Sequence, residues 1–375
     1  MQKIMQHITK ARSNIPQDLV SISDYSQYAK QHISHDIYEY ITGGGADELT
    51  LRRNRETLDK IQLLPKMLTD CTAGSTALNF MGESLRHPII LAPVAFHKLV
   101  HPQGELATAD AASLLETTMV VSTLASHSLE DVAQKLETGK WFQLYFQQSR
   151  DFTLSLVKRA EAAGYSKLMI TIDASLHGIR NRAQRAGFVL PDHVQAVNLK
   201  NRPDLPYKVL KPEQSVVFQG MMTEAPTWAD IEWLQKNTHL DIILKGIMHP
   251  ADALKAQKMG VSGIVISNHG GRTLDSIPAA IELLPQIRKV VGPDYPIIVD
   301  GAIERGTDIY KAIALGANTV MVGRPQLYAL AVAGAIGVAH MLRVLREELE
   351  VTMAMMGTPT IADITPETLY RNSTK

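Results

Sequence analysis

A closed (β/α)8 barrel is the fold this 375-residue sequence predicts, and three observations predict it. From Pro88 onward, short apolar runs alternate with amphipathic helical stretches. None of the runs has the polar face of an edge strand. Polar residues gather where the runs end, while the run interiors stay apolar. Strand–helix alternation without an edge strand favours closure. An open doubly wound sheet is the alternative, because alternation alone does not establish closure.

Composition narrows the class. Lys and Arg number 38 against 38 Asp and Glu, which gives no electrostatic footprint for nucleic acid or an anionic membrane. The lone Cys71 excludes an intramolecular disulfide framework and a cysteine-rich zinc site, and suits a reducing compartment. Met1–Leu19 is polar and interrupted by Pro16, unlike a signal peptide, and no run approaches a membrane span. A soluble cytoplasmic protein is expected, organised as one domain over 1–375.

Taken in order, residues 1–87 are expected to form a helical preface. Ser23 or Asp24 suits the N-cap of its first helix, Gly43-Gly44-Gly45 breaks a second, and Asp47-Glu48 starts a third. The barrel is expected over 88–330. Its eight runs are Pro88–Ala92, Thr118–Val121, Trp141–Tyr145, Leu168–Ile172, Asp241–Leu244, Gly263–Ile266, Pro296–Val299 and Thr319–Val322. Between them lie helical segments such as Asp151–Ala163, Pro250–Met259 and Gly306–Leu315. Gly164, Gly260 and Gly316 follow these three, where a helix end favours positive φ. The connection after strand 4 breaks the rhythm. Residues 174–226 carry Arg180, Arg182, Arg185 and Pro191, Pro203, Pro206 and Pro212, and read as a lid. Residues 331–375 are expected to be a helical tail packed on the barrel or on another subunit.

The C-terminal strand ends of such a barrel converge on one site. Here they carry Ala92-Pro93-Val94, Ser122-Thr123-Leu124, Gln143 and Tyr145, Thr171 and Asp173, Lys245-Gly246, Ser267-Asn268-His269, Asp300-Gly301 and Gly323-Arg324. Contact with water explains the Ser, Thr and Gln residues, but explains poorly a lysine directly after Ile-Ile-Leu. The stretch Ser267-Asn-His-Gly-Gly-Arg272 sets a titratable group beside a guanidinium whose fork matches a carboxylate. A satisfied surface histidine beside a turn arginine is the plain alternative. Helix starts after strands 7 and 8, with Arg324, suit a phosphate-bearing ligand, either substrate or cofactor. The sequence has no HExxH, GxSxG, Walker or GxGxxG motif, and no metal is expected.

On these residues the sequence resembles the FMN-dependent L-2-hydroxy acid oxidases and dehydrogenases, the group that includes glycolate and L-lactate oxidases. The resemblance runs from about Tyr25 to the C-terminal helix. Ser267–Arg272 with Leu274-Asp275 is its most specific part, and Ala92-Pro93, Gln143-Leu-Tyr145, Thr171-Ile-Asp173, Lys245-Gly246 and Gly323-Arg324-Pro325 support it. It implies FMN as cofactor and His269 as the group that removes a proton, oriented by Asp173. It further implies that Arg272, Arg180 and Tyr25 bind the substrate carboxylate and that Tyr145 binds the hydroxyl. Lys245 would face the flavin N1–C2 edge. Ala92, Pro93, Val94, Ser122, Gln143, Thr171, Ser267, Asp300, Gly301, Ala302, Gly323 and Arg324 would hold the cofactor, with Leu124 facing the substrate substituent. The implied partners are a 2-hydroxy acid, lactate or longer aliphatic, and O2 or another soluble acceptor, in a homotetramer.

One departure stands out. The family pattern Asp-Gly-Gly-x-Arg after strand 7 reads Asp300-Gly301-Ala302-Ile303-Glu304, so an acid replaces an arginine expected near the FMN phosphate. Arg305 is adjacent, but the pattern assigns it no contact. Two other readings remain: an FMN barrel of another class, such as an isopentenyl-diphosphate isomerase, which the His269, Arg272, Arg180 and Tyr145 set argues against, and a degenerate barrel that binds FMN weakly or not at all, which Glu304 keeps open.

Overall fold

The structure is a computed structural model, and it describes residues 15–176, 178–204 and 209–370. Pro206, His177 and the two ends of the expected terminal segments lie outside the described residues. The eight strands close in the order in which they occur in sequence, all parallel. They are β1 (Ile89–Leu91), β2 (Met119–Ser122), β3 (Lys140–Leu144), β4 (Lys167–Thr171), β5 (Asp241–Ile247), β6 (Gly263–Ile266), β7 (Ile297–Asp300) and β8 (Thr319–Val322). β8 pairs with both β7 and β1, which closes the ring.

Both faces of each strand are apolar because each faces a different core. Ile90, Val120, Trp141, Met169, Ile243, Val265, Ile298 and Met321 point inward, one from each strand, and fill the barrel. Their neighbours face outward and pack against the helices. The preface is not wholly helical, as the sequence led us to expect. A short antiparallel hairpin, Leu78–Phe80 with Glu83–Leu85, packs Phe80 and Leu85 against this inner layer. Its three-residue strands carry too little alternation to be read as a sheet.

The helices are α1 (Ile22–His32), α2 (His35–Thr42), α3 (Leu49–Lys60), α4 (Gly104–Leu114), α5 (Leu129–Lys135), α6 (Arg150–Ala162), α7 (Asn181–Arg185), α8 (Trp228–Gln235), α9 (Pro250–Lys258), α10 (Ala280–Val291), α11 (Gly306–Ala314) and α12 (Arg324–Met356). α1 starts earlier than expected. Its N-cap is Ser21, and Asp24 at the third position accepts from the Ser21 amide at 2.7 Å. Gly43 ends α2, and Gly164, Gly260 and Gly316 all adopt positive φ past their helices.

Three arrangements position the site. Gly246 lies inside β5, where the pairing with β6 shifts register, so Lys245 sits on the strand rather than after it. The Gly45 amide donates to the Gly271 carbonyl at 2.7 Å, which docks the glycine run after α2 against the loop after β6. Asn54 of α3 and Asn268 exchange two amide hydrogen bonds, at 3.0 and 2.7 Å, and Asn268 also accepts from the Gly271 amide. The preface thus holds the loop that follows β6.

α12 is interrupted at Ala333 and Gly334, where the backbone leaves the helical region. By length and composition alone an apolar window of α12 could cross a membrane, contrary to the sequence expectation of no such run. Half of that apolar window is buried within the protein, and the helix packs against α1, α4 and α11. Its buried apolar residues, such as Leu330, Met341 and Leu345, are part of the protein's core, while Val351 and Met355 stay exposed.

Candidate active site

A cavity opens at the C-terminal ends of the strands, and it gathers most of the residues expected from the sequence. Ala92, Pro93, Val94, Ser122, Leu124, Tyr145, Arg180, Lys245, His269 and Arg272 line it, with Asp300, Gly301, Ala302, Gly323 and Arg324 toward β7 and β8. Gln143 and Thr171 lie near the C-terminal ends of β3 and β4, Ser267 directly follows β6, and Asp173 pairs with His269.

His269 adopts φ +57°, an unusual backbone for a non-glycine residue, and its amide donates to Ser267 Oγ at 3.0 Å. Its Nδ1 lies 2.9 Å from Asp173 Oδ1. An ionised carboxylate at that nitrogen fixes Nδ1–H as donor and leaves the Nε2 lone pair for the cavity. Burial pushes the His269 imidazole below its ordinary value; Asp173 opposes this, and Lys245 and Arg272 add to it. The ring is therefore neutral at pH 7 and able to accept a proton. Burial would raise the Asp173 carboxyl, but His269 and Lys245 outweigh it and hold it below the usual carboxylate value. Gly246 makes room for this pair. A Cβ at Gly246, which has φ +108°, would meet Asp173 Cβ at 2.6 Å.

Lys245 is buried at 4% exposure, with Nζ 3.0 Å from Ser267 Oγ and 3.2 Å from Asp300 Oδ2. Burial lowers its ammonium, and Asp300, Asp173 and Tyr145 more than restore it, so it stays charged. Burial pushes the Tyr145 phenol up to about 12, which keeps it a neutral hydrogen-bond donor.

Opposite the histidine stand cations without counterions. Among the described residues, no carboxylate forms an ion pair with Arg180, Arg272 or Arg324. Arg272 donates to the carbonyls of Ile41 and Gly43 at 2.8 and 2.9 Å. Arg180 Nε is buried without a partner. The ring of Tyr40 lies beneath both, 5.7 Å from the Arg180 guanidinium and 5.3 Å from that of Arg272, and stacks on Phe188 at 4.0 Å. Burial and the neighbouring Arg324 and Arg180 push the Arg272 guanidinium down, so an anion placed here would stabilise its charged form.

Tyr25 is not part of this cluster. It is fully buried between α1 and α12, with its hydroxyl 3.1 Å from the Gly337 carbonyl and 2.8 Å from His340 Nδ1. Tyr40 lines the cavity instead. The available signal was its position three residues before Gly43, at the end of α2, in front of the glycine run that carries the chain toward the loop after β6.

The expected phosphate cradle is also only half available. The amides of Glu304 and Arg305 donate to Asp308, at 3.0 and 2.9 Å, and that of Gly306 to Glu348 at 2.8 Å. The first turn of α11 is thus already capped by carboxylates. Arg305 turns away and pairs with Glu348 at 3.2 Å. Arg324 spends three of its N–H groups on the carbonyls of Ile41, Gly270 and Gly43, leaving the others for an anion. Sequence reasoning missed Arg55 of α3, which donates to the Ala302 carbonyl at 3.0 Å and pairs with Asp308 at 2.7 Å.

The donor set suits a flavin. Gln143 Nε2 is buried without a partner, as is Asp300 Oδ1, while Ser122 Oγ and the Thr123 amide turn the Gln143 carbonyl oxygen inward. A Cβ at Gly323 would meet only Ala92, at 3.8 Å, which leaves open space at that wall. The sequence profile of the FMN-dependent dehydrogenases matches residues 29–371. The chain belongs to the FMN-dependent dehydrogenase family. It is 44% identical over 355 residues to an L-lactate oxidase of Alicycliphilus denitrificans, covering 95% of this chain and 97% of that one. A peroxisomal (S)-2-hydroxyacid oxidase of Arabidopsis thaliana is 38% identical, covering 92% and 95%. Among solved structures, mandelate oxidase with benzoyl-formic acid has a TM-score of 0.84 at 37% identity, covering 94% of this chain and 98% of that one. As a family member the protein uses FMN, and Lys245, Gln143, Ser122 and Arg324 are the residues that would hold it.

Proposed function

We propose that this FMN-dependent dehydrogenase oxidises an L-2-hydroxy acid to the 2-oxo acid and passes the electrons to dioxygen. One observation carries the reading: His269 Nε2 and the uncompensated Arg180 and Arg272 border the same cavity. A 2-hydroxy acid has an anionic end for two guanidiniums and a carbon-bound hydroxyl whose oxidation requires proton removal. Arg180, Arg272 and Tyr40 bind the carboxylate, and Tyr145 binds the hydroxyl. His269 accepts a proton at Nε2, and Asp173 stabilises the imidazolium that results. FMN, when bound, supplies the two-electron acceptor; Lys245 sets a positive charge beside it. The substrate loses two electrons and two protons, and dioxygen taking up both yields hydrogen peroxide.

Leu124 in the cavity wall favours lactate and longer aliphatic acids over glycolate or mandelate, because it fills less space than an aromatic ring and more than alanine. The relatives named as L-lactate oxidases support this choice. A cytoplasmic homotetramer is proposed with it. Support comes from the single half-buried thiol and from an exposed apolar strip including Val20, Met67, Val351 and Met355. Anaerobic bleaching of the flavin with glycolate, lactate, 2-hydroxyoctanoate and mandelate, followed by air and a peroxide assay, tests reaction, substrate and oxidant together. Failure of every acid to bleach a bound flavin would reject the assignment.

A further inference from the structure

Glu304 is the acidic residue in the cavity wall to which the reaction described above gives no role. It is half-buried and lines the same wall as Ala302, Gly323 and Arg324. Its amide caps onto Asp308, but among the described residues its carboxyl makes no hydrogen bond or ion pair. The groups that face it are Arg55 and Asp59 from α3, Asp308 from α11, and Arg324 and Tyr328 from α12. Arg55 is engaged by Asp308 and Asp59, and Arg324 by three carbonyls, so neither neutralises Glu304 by direct pairing.

A phosphate group at this end of the cavity meets one incompletely used guanidinium and one carboxyl. An ionised carboxylate against a phosphate dianion is a like-charge contact that only the remaining Arg324 N–H groups offset, because the α11 amides are already taken. A protonated carboxyl reverses the sign of the contact, since its O–H donates to a phosphate oxygen in a charge-assisted hydrogen bond.

We propose that Glu304 is a cofactor-binding residue that acts as a protonated acid, donating its hydrogen to the FMN phosphate, so that FMN binds together with a proton. The proposal rests on the cofactor position given above, with the phosphate at the β7 and β8 ends. Burial already raises the Glu304 carboxyl above its ordinary value in the protein alone; Arg55 and Arg324 lower it, while Asp308 and Asp59 raise it further. A bound phosphate adds negative charge and raises it again. Between those two values one proton is taken up per FMN, and the FMN dissociation constant increases up to about tenfold per pH unit as pH rises. Most arginine-lined phosphate sites would show no such uptake, because a guanidinium keeps its charge throughout this range.

The test is titration of apoprotein with FMN and with riboflavin, followed by quenching of flavin fluorescence, between pH 6.5 and 9 in a phosphate-free buffer. Both the natural protein and Glu304→Gln are measured. The side-chain amide introduced by this substitution can still donate to the phosphate but cannot titrate. The expected result is an FMN dissociation constant that rises with pH in the natural protein and no longer does so in E304Q. Riboflavin, which lacks the phosphate, should give one pH profile shared by the two proteins. This comparison separates Glu304 from His269 and Lys245, which titrate at the ring end. Glu304→Arg should bind FMN more tightly than the natural protein at pH 9, without the slope. Equal FMN slopes in the natural protein and E304Q would overturn the proposal while leaving FMN as the cofactor. Binding of neither flavin at any pH would overturn the cofactor assignment and the proposal together.

Discussion

His269 turns its Nδ1 to Asp173 Oδ1 at 2.9 Å, and that contact decides which nitrogen of the ring meets the substrate. Replacing His269 with Gln should leave FMN bound and slow flavin reduction by substrate at least about 10²–10⁴-fold. Rapid-mixing reduction of the purified variant measures this. Near-normal reduction would remove His269 from the mechanism.

The same contact sets the pH dependence. With burial holding the imidazole below its ordinary 6.5, kcat/KM should fall only on the acid side of that value, as Nε2 becomes protonated. Asp173 raises the imidazole, so Asp173→Asn should move the acid limb to still lower pH. It should also lower the plateau by roughly 10²–10⁴-fold through loss of the correct tautomer. An acid limb that moves upward would contradict this electrostatic arrangement.

Two tyrosines separate binding from packing. Tyr40→Phe should raise KM for the hydroxy acid, by about 10-fold if a charged hydrogen bond of roughly 1.5 kcal/mol is lost, with little change in melting temperature. Tyr25→Phe should keep KM and cost about 1 kcal/mol of stability, because its hydroxyl joins α1 to α12. Steady-state kinetics and thermal unfolding on both variants would expose a reversed assignment.

Leu124 should set substrate size. Leu124→Ala should admit mandelate, and Leu124→Trp should shift preference toward glycolate. Each methylene that still fits should change selectivity by about 1–3 kcal/mol. The check is kcat/KM for four acids on three proteins, and an unchanged ranking would mean that residue 124 does not bound the substrate.

Ala302 holds φ +58° where the family pattern has glycine. The left-handed backbone costs a residue with a Cβ about 1–2 kcal/mol, against roughly 0.5–1 kcal/mol of extra chain entropy for glycine. Ala302→Gly should therefore stabilise the protein by about 0.5–1 kcal/mol. A lower melting temperature would show that the Cβ contributes packing that outweighs its strain.

The sequence by itself determined the eight strand–helix units and most of the wall of the site, while ring closure is shown by the pairing of β8 with both β7 and β1. Strand–helix alternation is a local pattern, and the C-terminal ends of parallel strands converge whatever their loops do. Residues at or near those ends, such as Lys245, His269 and Gly323, could therefore be placed on the site wall by position, while their roles came from the family resemblance. Only the tertiary structure decided between Tyr25 and Tyr40. Both lie in preface helices, and the choice depends on long-range contacts, Gly45 with Gly271 and Arg272 with Gly43, that no local period encodes. It also decided that Arg305 faces Glu348 rather than compensating for Glu304, and that the α11 amides are capped by side chains. Side-chain direction at a helix start depends on which groups the next helix brings within hydrogen-bond reach, and that is fixed only when the helices pack.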